Sequence, residues 1–148
     1  MPAEKYRVVL DTNQIIGAGS RWMVDARSVS DSNLCQRILI QVAAAHTGLF
    51  SGKTMGEYTE KLLDLNHPKE RVQMLITYLM GAFTYVKIVT KDAPTKPTDL
   101  DDEIFILCAL DGNADYLVAD DKHLLDVKSS YARPVIGKSV ELEPILCA

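Results

Sequence analysis

The sequence predicts an α/β fold, a three-layer α/β/α sandwich around a central, mostly parallel sheet of four to five strands. Short apolar runs alternate with longer stretches whose apolar residues recur at three and four, the pattern of strands alternating with helices. The runs Val8-Val9-Leu10 and Leu117-Val118-Ala119 are continuously apolar, as strands covered on both faces are. Both runs end on aspartate, Asp11 in one and Asp120-Asp121 in the other, at the carboxyl ends where open α/β sheets keep their ligand crevice. At 148 residues the chain is expected to form one domain, residues 1–148, burying about two thirds of the surface an unfolded chain exposes.

The first strand is expected at Tyr6 to Leu10, followed by a loop or short helix and a polar stretch from Gly17 to about Asn33. Leu34, Cys35, Ile38, Leu39, Val42 and Ala43 then mark a helix, with Ser30 or Ser32 as its cap and Gly48 as its end. Leu49-Phe50-Ser51 reads as a very short strand. Met55, Tyr58, Leu62 and Leu65 mark one face of a helix that stops before His67-Pro68, because proline disfavours helical geometry in the residue before it. Pro68 opens another helix, carrying Val72, Leu75, Ile76, Leu79 and Met80 and ending near Gly81. Tyr85 to Val89 reads as a buried strand, and Pro94 to Pro97 as a loop. Thr98-Asp99-Leu100-Asp101 resembles a capping box ahead of the apolar helix body Ile104, Phe105, Leu107, Cys108 and Ala109, with Gly112-Asn113 ending it. The strand Tyr116 to Ala119, a short helix around His123 to Asp126 and a strand around Pro134-Val135-Ile136 complete the alternation.

The composition is ordinary for a globular protein, and no run approaches the roughly 18 apolar residues of a membrane span, so a cytoplasmic protein with no membrane association is expected. The three cysteines lack metal-ligand spacing and read as buried thiols. The net charge of −4 hides a segregation. From Asp99 to Asp126 nine acidic residues face Lys122 alone, while Arg21, Arg27, Arg37, Lys53, Lys61, Lys69 and Arg71 offer positive surface elsewhere for a polyanion. Asp11, Glu57, Asp102 and the pair Asp120-Asp121 fall where an α/β fold brings them together. Carboxylates converging in one crevice repel one another, and a hard cation with oxygen ligands relieves that repulsion, which points to metal-assisted hydrolysis.

Four blocks carry a resemblance. Val8-Val9-Leu10-Asp11-Thr12-Asn13 with Ile15-Ile16, Glu57 to Leu62, Asp102 to Leu110, and Ala114 to Leu125 are similar, in order, to the motifs of the PIN-domain family, and most similar to its stand-alone VapC-like toxin components of toxin-antitoxin systems. The resemblance implies a metal-dependent ribonuclease using Mg²⁺ or Mn²⁺, with a flavodoxin-like or 5′-nuclease-like strand order. Its partners would be an RNA substrate, a cognate antitoxin protein and a second copy in a homodimer. By the same resemblance Asp11, Glu57, Asp102 and Asp121 are the catalytic and metal-binding set, Asp11 being the central ligand and Glu57 serving either a metal or the attacking water. Thr12 or Asn13 would hold the Asp11 carboxylate or a metal-bound water. Asp101 competes with Asp102, although the register of Phe105 and Ala109 favours Asp102, and Asp99 and Asp101 fit supporting roles at the helix start. The fourth block departs from the family, since Ala119-Asp120-Asp121 stands where a hydroxyl residue, glycine and aspartate are usual. Asp121 aligns with the acidic position, and Asp120 is a further candidate ligand.

Bland readings compete with each assignment. An aspartate after a strand is often a helix cap, and a glutamate on a helix is usually solvated. His46, His67 and His123 are scattered, which assigns them to surface or helix-end positions. Trp22 is suited to core packing or, with Arg21 and Arg27, to binding single-stranded RNA. A response-regulator receiver would need an acidic pair where Leu10-Asp11-Thr12 stands, and a haloacid-dehalogenase-like phosphatase an aspartate where Asn13 stands. The remaining alternative is a catalytically weak PIN-like scaffold that binds RNA or a protein.

Overall fold

A computed structural model describes residues 4–20 and 33–148. Five parallel strands form one sheet: β1 (Arg7–Leu10), β2 (Thr47–Phe50), β3 (Thr84–Tyr85), β4 (Tyr116–Val118) and β5 (Val135–Gly137), in the order β3-β2-β1-β4-β5. Among the described residues seven α-helices accompany them: α1 (Thr12–Gly19), α2 (Leu34–Ala45), α3 (Gly52–Asp64), α4 (Lys69–Ala82), α5 (Glu103–Asp111), α6 (Lys122–Leu125) and α7 (Ser139–Leu146). Successive strand residues face opposite sides of a sheet. Val8, Val9 and Leu10 are all fully buried, so helices cover both faces of β1 and the three-layer expectation holds.

The strand order departs from the flavodoxin-like one. The 3-2-1-4-5 order is that of dinucleotide-binding doubly wound sheets, whereas flavodoxin-like sheets run 2-1-3-4-5. Either way the order reverses once, here between β1 and β4, and the loops leaving those two strands diverge to open a crevice. The Asp11 N–H donates to the Val118 carbonyl at 3.0 Å, stitching the ends of β1 and β4 together at that point.

Several local expectations change. Gly48 does not end α2; it lies within β2, where an added Cβ would stand 2.6 Å from the Phe83 ring, so close packing of α4's end onto the strand requires glycine. The cap of α2 is Asn33, whose side chain accepts from the Gln36 N–H at 2.8 Å; Ser30 and Ser32 lie outside the described residues. The expected buried strand from Tyr85 to Val89 is reduced to Thr84–Tyr85 at the sheet edge, with Tyr85 62% and Val89 73% exposed. Met80 is likewise exposed, on the outer side of α4.

Thr98 to Asp101 forms no capping box. Asp99 instead accepts from the Asp101 N–H at 3.0 Å and caps a 3₁₀ turn, Leu100–Asp102, from which α5 continues. Cys108 is buried, but Cys35 and Cys147 are only half-buried, and all three are free thiols. His46 is a helix-end residue as expected, yet it is buried: its Nδ1 accepts from the Tyr6 N–H at 3.0 Å and its Nε2 bonds the Leu146 carbonyl at 2.8 Å, pinning α7 to the start of β1. No helix among the described residues is long and apolar enough to cross a membrane.

Candidate active site

The carboxyl ends of the parallel strands share one edge of the sheet, where Asp11, Asp102, Asp120 and Asp121 lie close enough for their charges to act on one another, while Glu57 reaches only Asp102 among them. Asp11 follows β1 directly and caps α1, with one oxygen accepting from the Gln14 N–H at 3.2 Å. Only 3% of Asp11 is exposed. Burial pushes its pKa up to about 7; the Gln14 bond opposes this, and the charges of Asp120, Asp121 and Asp102 add to it.

Asp102 stands at the junction of the 3₁₀ turn and α5, in the N-cap position, but its carboxylate makes no capping hydrogen bond. Its Oδ2 is buried with no hydrogen-bond partner. Burial, followed by the charges of Asp121, Asp99 and Glu57 and partly offset by His123, raises it to about 6. Glu57 lies on the second turn of α3, half-buried, and is raised chiefly by burial with Lys61 partly offsetting. The neighbouring Tyr58 is fully buried and donates its hydroxyl hydrogen bond to the Leu10 carbonyl, which fixes α3 against the end of β1.

The pair after β4 divides. Asp120 accepts from the Ser139 N–H at 3.0 Å, from the Ser139 hydroxyl at 2.8 Å and from the Gln14 amide at 2.8 Å. Burial would raise its pKa, but these bonds and Lys138 hold it below the ordinary carboxylate range. Asp121 caps α6, one oxygen accepting from the His123 N–H at 2.8 Å, and is free of the Ser139 and Gln14 bonds.

Gln14 and Ser139 are not legible as site residues in the sequence. Ser139 follows β5 at the same edge of the sheet, a position that could flag it. Thr12 and Asn13 do not hold Asp11, since the bond comes from the Gln14 N–H. The Thr12 hydroxyl is buried without a partner, and Asn13 is exposed. Asp99 and Asp101 belong to the 3₁₀ turn. Arg21, Arg27 and Trp22 lie outside the described residues.

Among the described residues no three His, Cys, Asp or Glu side chains are gathered tightly enough to enclose a metal ion as they stand. The donor set nevertheless suits a hard cation in charge and chemistry. Carboxylate oxygens are its ligands, Asp102 Oδ2 is a buried acceptor without a donor, and Mg²⁺ keeps several waters and needs only one or two carboxylates.

Comparison with known families gives a match between residues 7–123 and the family model described as PIN domain. The match runs from β1 to the start of α6 and so includes Asp11, Glu57, Asp102 and Asp121, while β5, α7 and Ser139 fall outside it. No curated protein matches the chain.

Proposed function

The chain belongs to the PIN-domain family, whose members are generally nucleases, and on that premise we propose that it is a divalent-metal-dependent endoribonuclease. It would hydrolyse phosphodiester bonds in single-stranded or structured RNA and act in the cytoplasm as the toxin of a toxin-antitoxin pair. A cognate antitoxin and a second copy of the chain would be its protein partners. The observation that carries the reading is Asp102: a carboxylate in a helix-cap position that caps nothing, with one buried oxygen unpartnered, facing the field of other carboxylates.

On this reading Asp11, Asp102 and Asp121, with Glu57, hold Mg²⁺ or Mn²⁺, and Asp120 supports them from behind. Such a cation supplies activation of water, orientation of the phosphate and stabilisation of the departing oxygen. The protein's own contribution is to hold the carboxylates rigidly. Asp11 and Asp121 each fix one oxygen on a helix N–H, which leaves the other without a bond to that helix. Glu57, whose pKa burial shifts upward, would serve either the cation or the attacking water. Thr12, whose buried hydroxyl has no partner in the fold, would bond a water beside Asp11.

The test is cleavage of a mixed single-stranded RNA pool by the purified protein with Mg²⁺, with Mn²⁺ and with chelator, beside the Asp11→Asn variant. Metal-dependent cleavage absent from the variant is expected. Intact RNA under every condition, with Mn²⁺ still raising the melting temperature, would leave the weakly catalytic scaffold as the function.

A further inference from the structure

A second concavity opens on the same edge of the sheet, displaced from the carboxylates toward β3. Its volume is about 610 Å³, within the range of small-ligand sites. Its walls are the start of α3 with Lys53, the segment from Tyr85 to Lys91 that leaves β3, and Ile104 and Leu107 of α5. The segment beyond β3 alternates: Tyr85, Lys87, Val89 and Lys91 are exposed, while Val86 is buried and Ile88 and Thr90 are half-covered. Asp111 at the end of α5 holds this segment in place, accepting from the Val89 N–H at 2.7 Å and from the Thr90 N–H at 2.9 Å.

Three lysines, Lys53, Lys87 and Lys91, therefore border one cavity, and among the described residues none is ion-paired to a carboxylate. The Tyr85 ring meets Phe50 edge to face at 5.8 Å between centroids and the residue is 62% exposed. An open aromatic face beside a positively charged groove is how proteins hold single-stranded nucleic acid, with bases stacked and phosphates neutralised. The cavity is walled by the same two helices that carry Glu57 and follow Asp102. α3 carries Lys53 and, one turn later, Glu57, and α5 carries Ile104 two residues after Asp102. β3 and β1 are separated by β2 alone, about 10 Å at the usual strand spacing.

We propose that this cavity binds a nucleotide of single-stranded RNA flanking the bond to be cut, with Lys53, Lys87 and Lys91 on its phosphates and Tyr85 stacked on its base. The proposal rests on the ribonuclease reading of the neighbouring carboxylates, but its test does not depend on turnover. Binding of a fluorescently labelled mixed-sequence RNA oligonucleotide is measured by anisotropy in chelator across a salt series. The proteins compared are wild type, the triple variant Lys53→Gln/Lys87→Gln/Lys91→Gln, Tyr85→Ala and Tyr85→Phe. All four side chains are exposed, and thermal melts are to check that the variants stay folded.

Neutralising one lysine that pairs with a phosphate should reduce the slope of log affinity against log salt by about 0.7, so the triple variant should lose a slope of about 2. Tyr85→Ala should weaken binding at least about 5-fold with the slope unchanged, the loss of one stacked base, while Tyr85→Phe should bind as wild type. Unchanged affinity and slope in the triple variant and in Tyr85→Ala overturn the proposal even if RNA is cut. Absence of RNA binding by the wild type overturns it too. So does a triple variant that loses polyglutamate binding while keeping RNA binding, which would make the cavity a docking site for an acidic peptide. If the variants lose RNA binding but no RNA is ever cut by the wild type, the cavity stands and the nuclease reading falls.

Discussion

Adjacent aspartates after β4 do different work in this fold, and their separate bonding gives separate predictions. Asp120 accepts three hydrogen bonds from Ser139 and Gln14, so it joins β4 to the start of α7 and to α1. Asp120→Ala removes a charged acceptor from donors that have no replacement, and stability should fall by about 1–3 kcal/mol in urea denaturation. Cleavage per folded molecule should stay within a few-fold of wild type. Asp121, like Asp11, gives one oxygen to a helix N–H and keeps one available, and Asp102 gives none. Asp11→Asn, Asp102→Asn and Asp121→Asn keep the side-chain shape while removing the charge a cation needs, so each should lower kcat by about 10²-fold or more with the fold retained. If Asp120→Ala were as inactive as Asp121→Asn while still folded, the roles of the pair would have to be exchanged. The helix-cap reading and the ligand reading are thus compatible for Asp11 and Asp121, because a carboxylate has two oxygens.

The elements that place these residues are legible in the sequence to unequal degrees. β1, β4, α3 and α5 carry long apolar runs or clear three-four periodicity, and the structure finds each within a few residues of its expected span. The same elements carry Asp11, Asp102, Asp121 and Glu57, so the carboxylate positions are readable. Their supports are not. Ser139 reaches Asp120 from α7, an eight-residue helix interrupted by Pro144, whose pattern is too short and too broken to announce a helix. β3 is shorter than its pattern because Tyr85 to Val89 is apolar enough for a buried strand, yet it leaves the sheet after two residues and turns its odd positions outward. Tyr58 is legible as an apolar helix position, but its hydroxyl bond to the Leu10 carbonyl depends on where α3 crosses the end of β1. Glu57 is the residue just before Tyr58 on α3. Tyr58→Phe should therefore cost about 1 kcal/mol of stability. By letting α3 shift, it should also lower kcat, by up to about 10²-fold for a displacement near 1 Å, with KM little changed. Wild-type kcat in a variant of reduced stability would show that Tyr58 only holds the fold.

At the scale of the whole molecule, the single reversal of strand order gathers acidic groups where helices bury them, and this couples stability to pH and to cations. Asp11 is pushed up to about 7 and Asp102 to about 6, in both cases first by burial and then by neighbouring carboxylates. In the unfolded chain both would ionise near pH 4. Between those values the folded protein holds more protons than the unfolded one, so the contribution of these two groups is fully present at about pH 4 and is lost as pH rises through about 7. In chelator the melting temperature should therefore decline from pH 5 to pH 8. Asp11→Asn should decline less and, at pH 8, should melt above the wild type, since it lacks the buried charge. A divalent cation acts in the opposite sense. It binds the folded state and is held more tightly as its carboxylates ionise. Saturating Mn²⁺ should raise the melting temperature of the wild type more at pH 8 than at pH 5, and should raise that of Asp11→Asn little at either. Equal stabilisation at both pH values, or equal stabilisation of the variant, would mean that the cation binds elsewhere and that the buried carboxylates of the crevice are not its ligands.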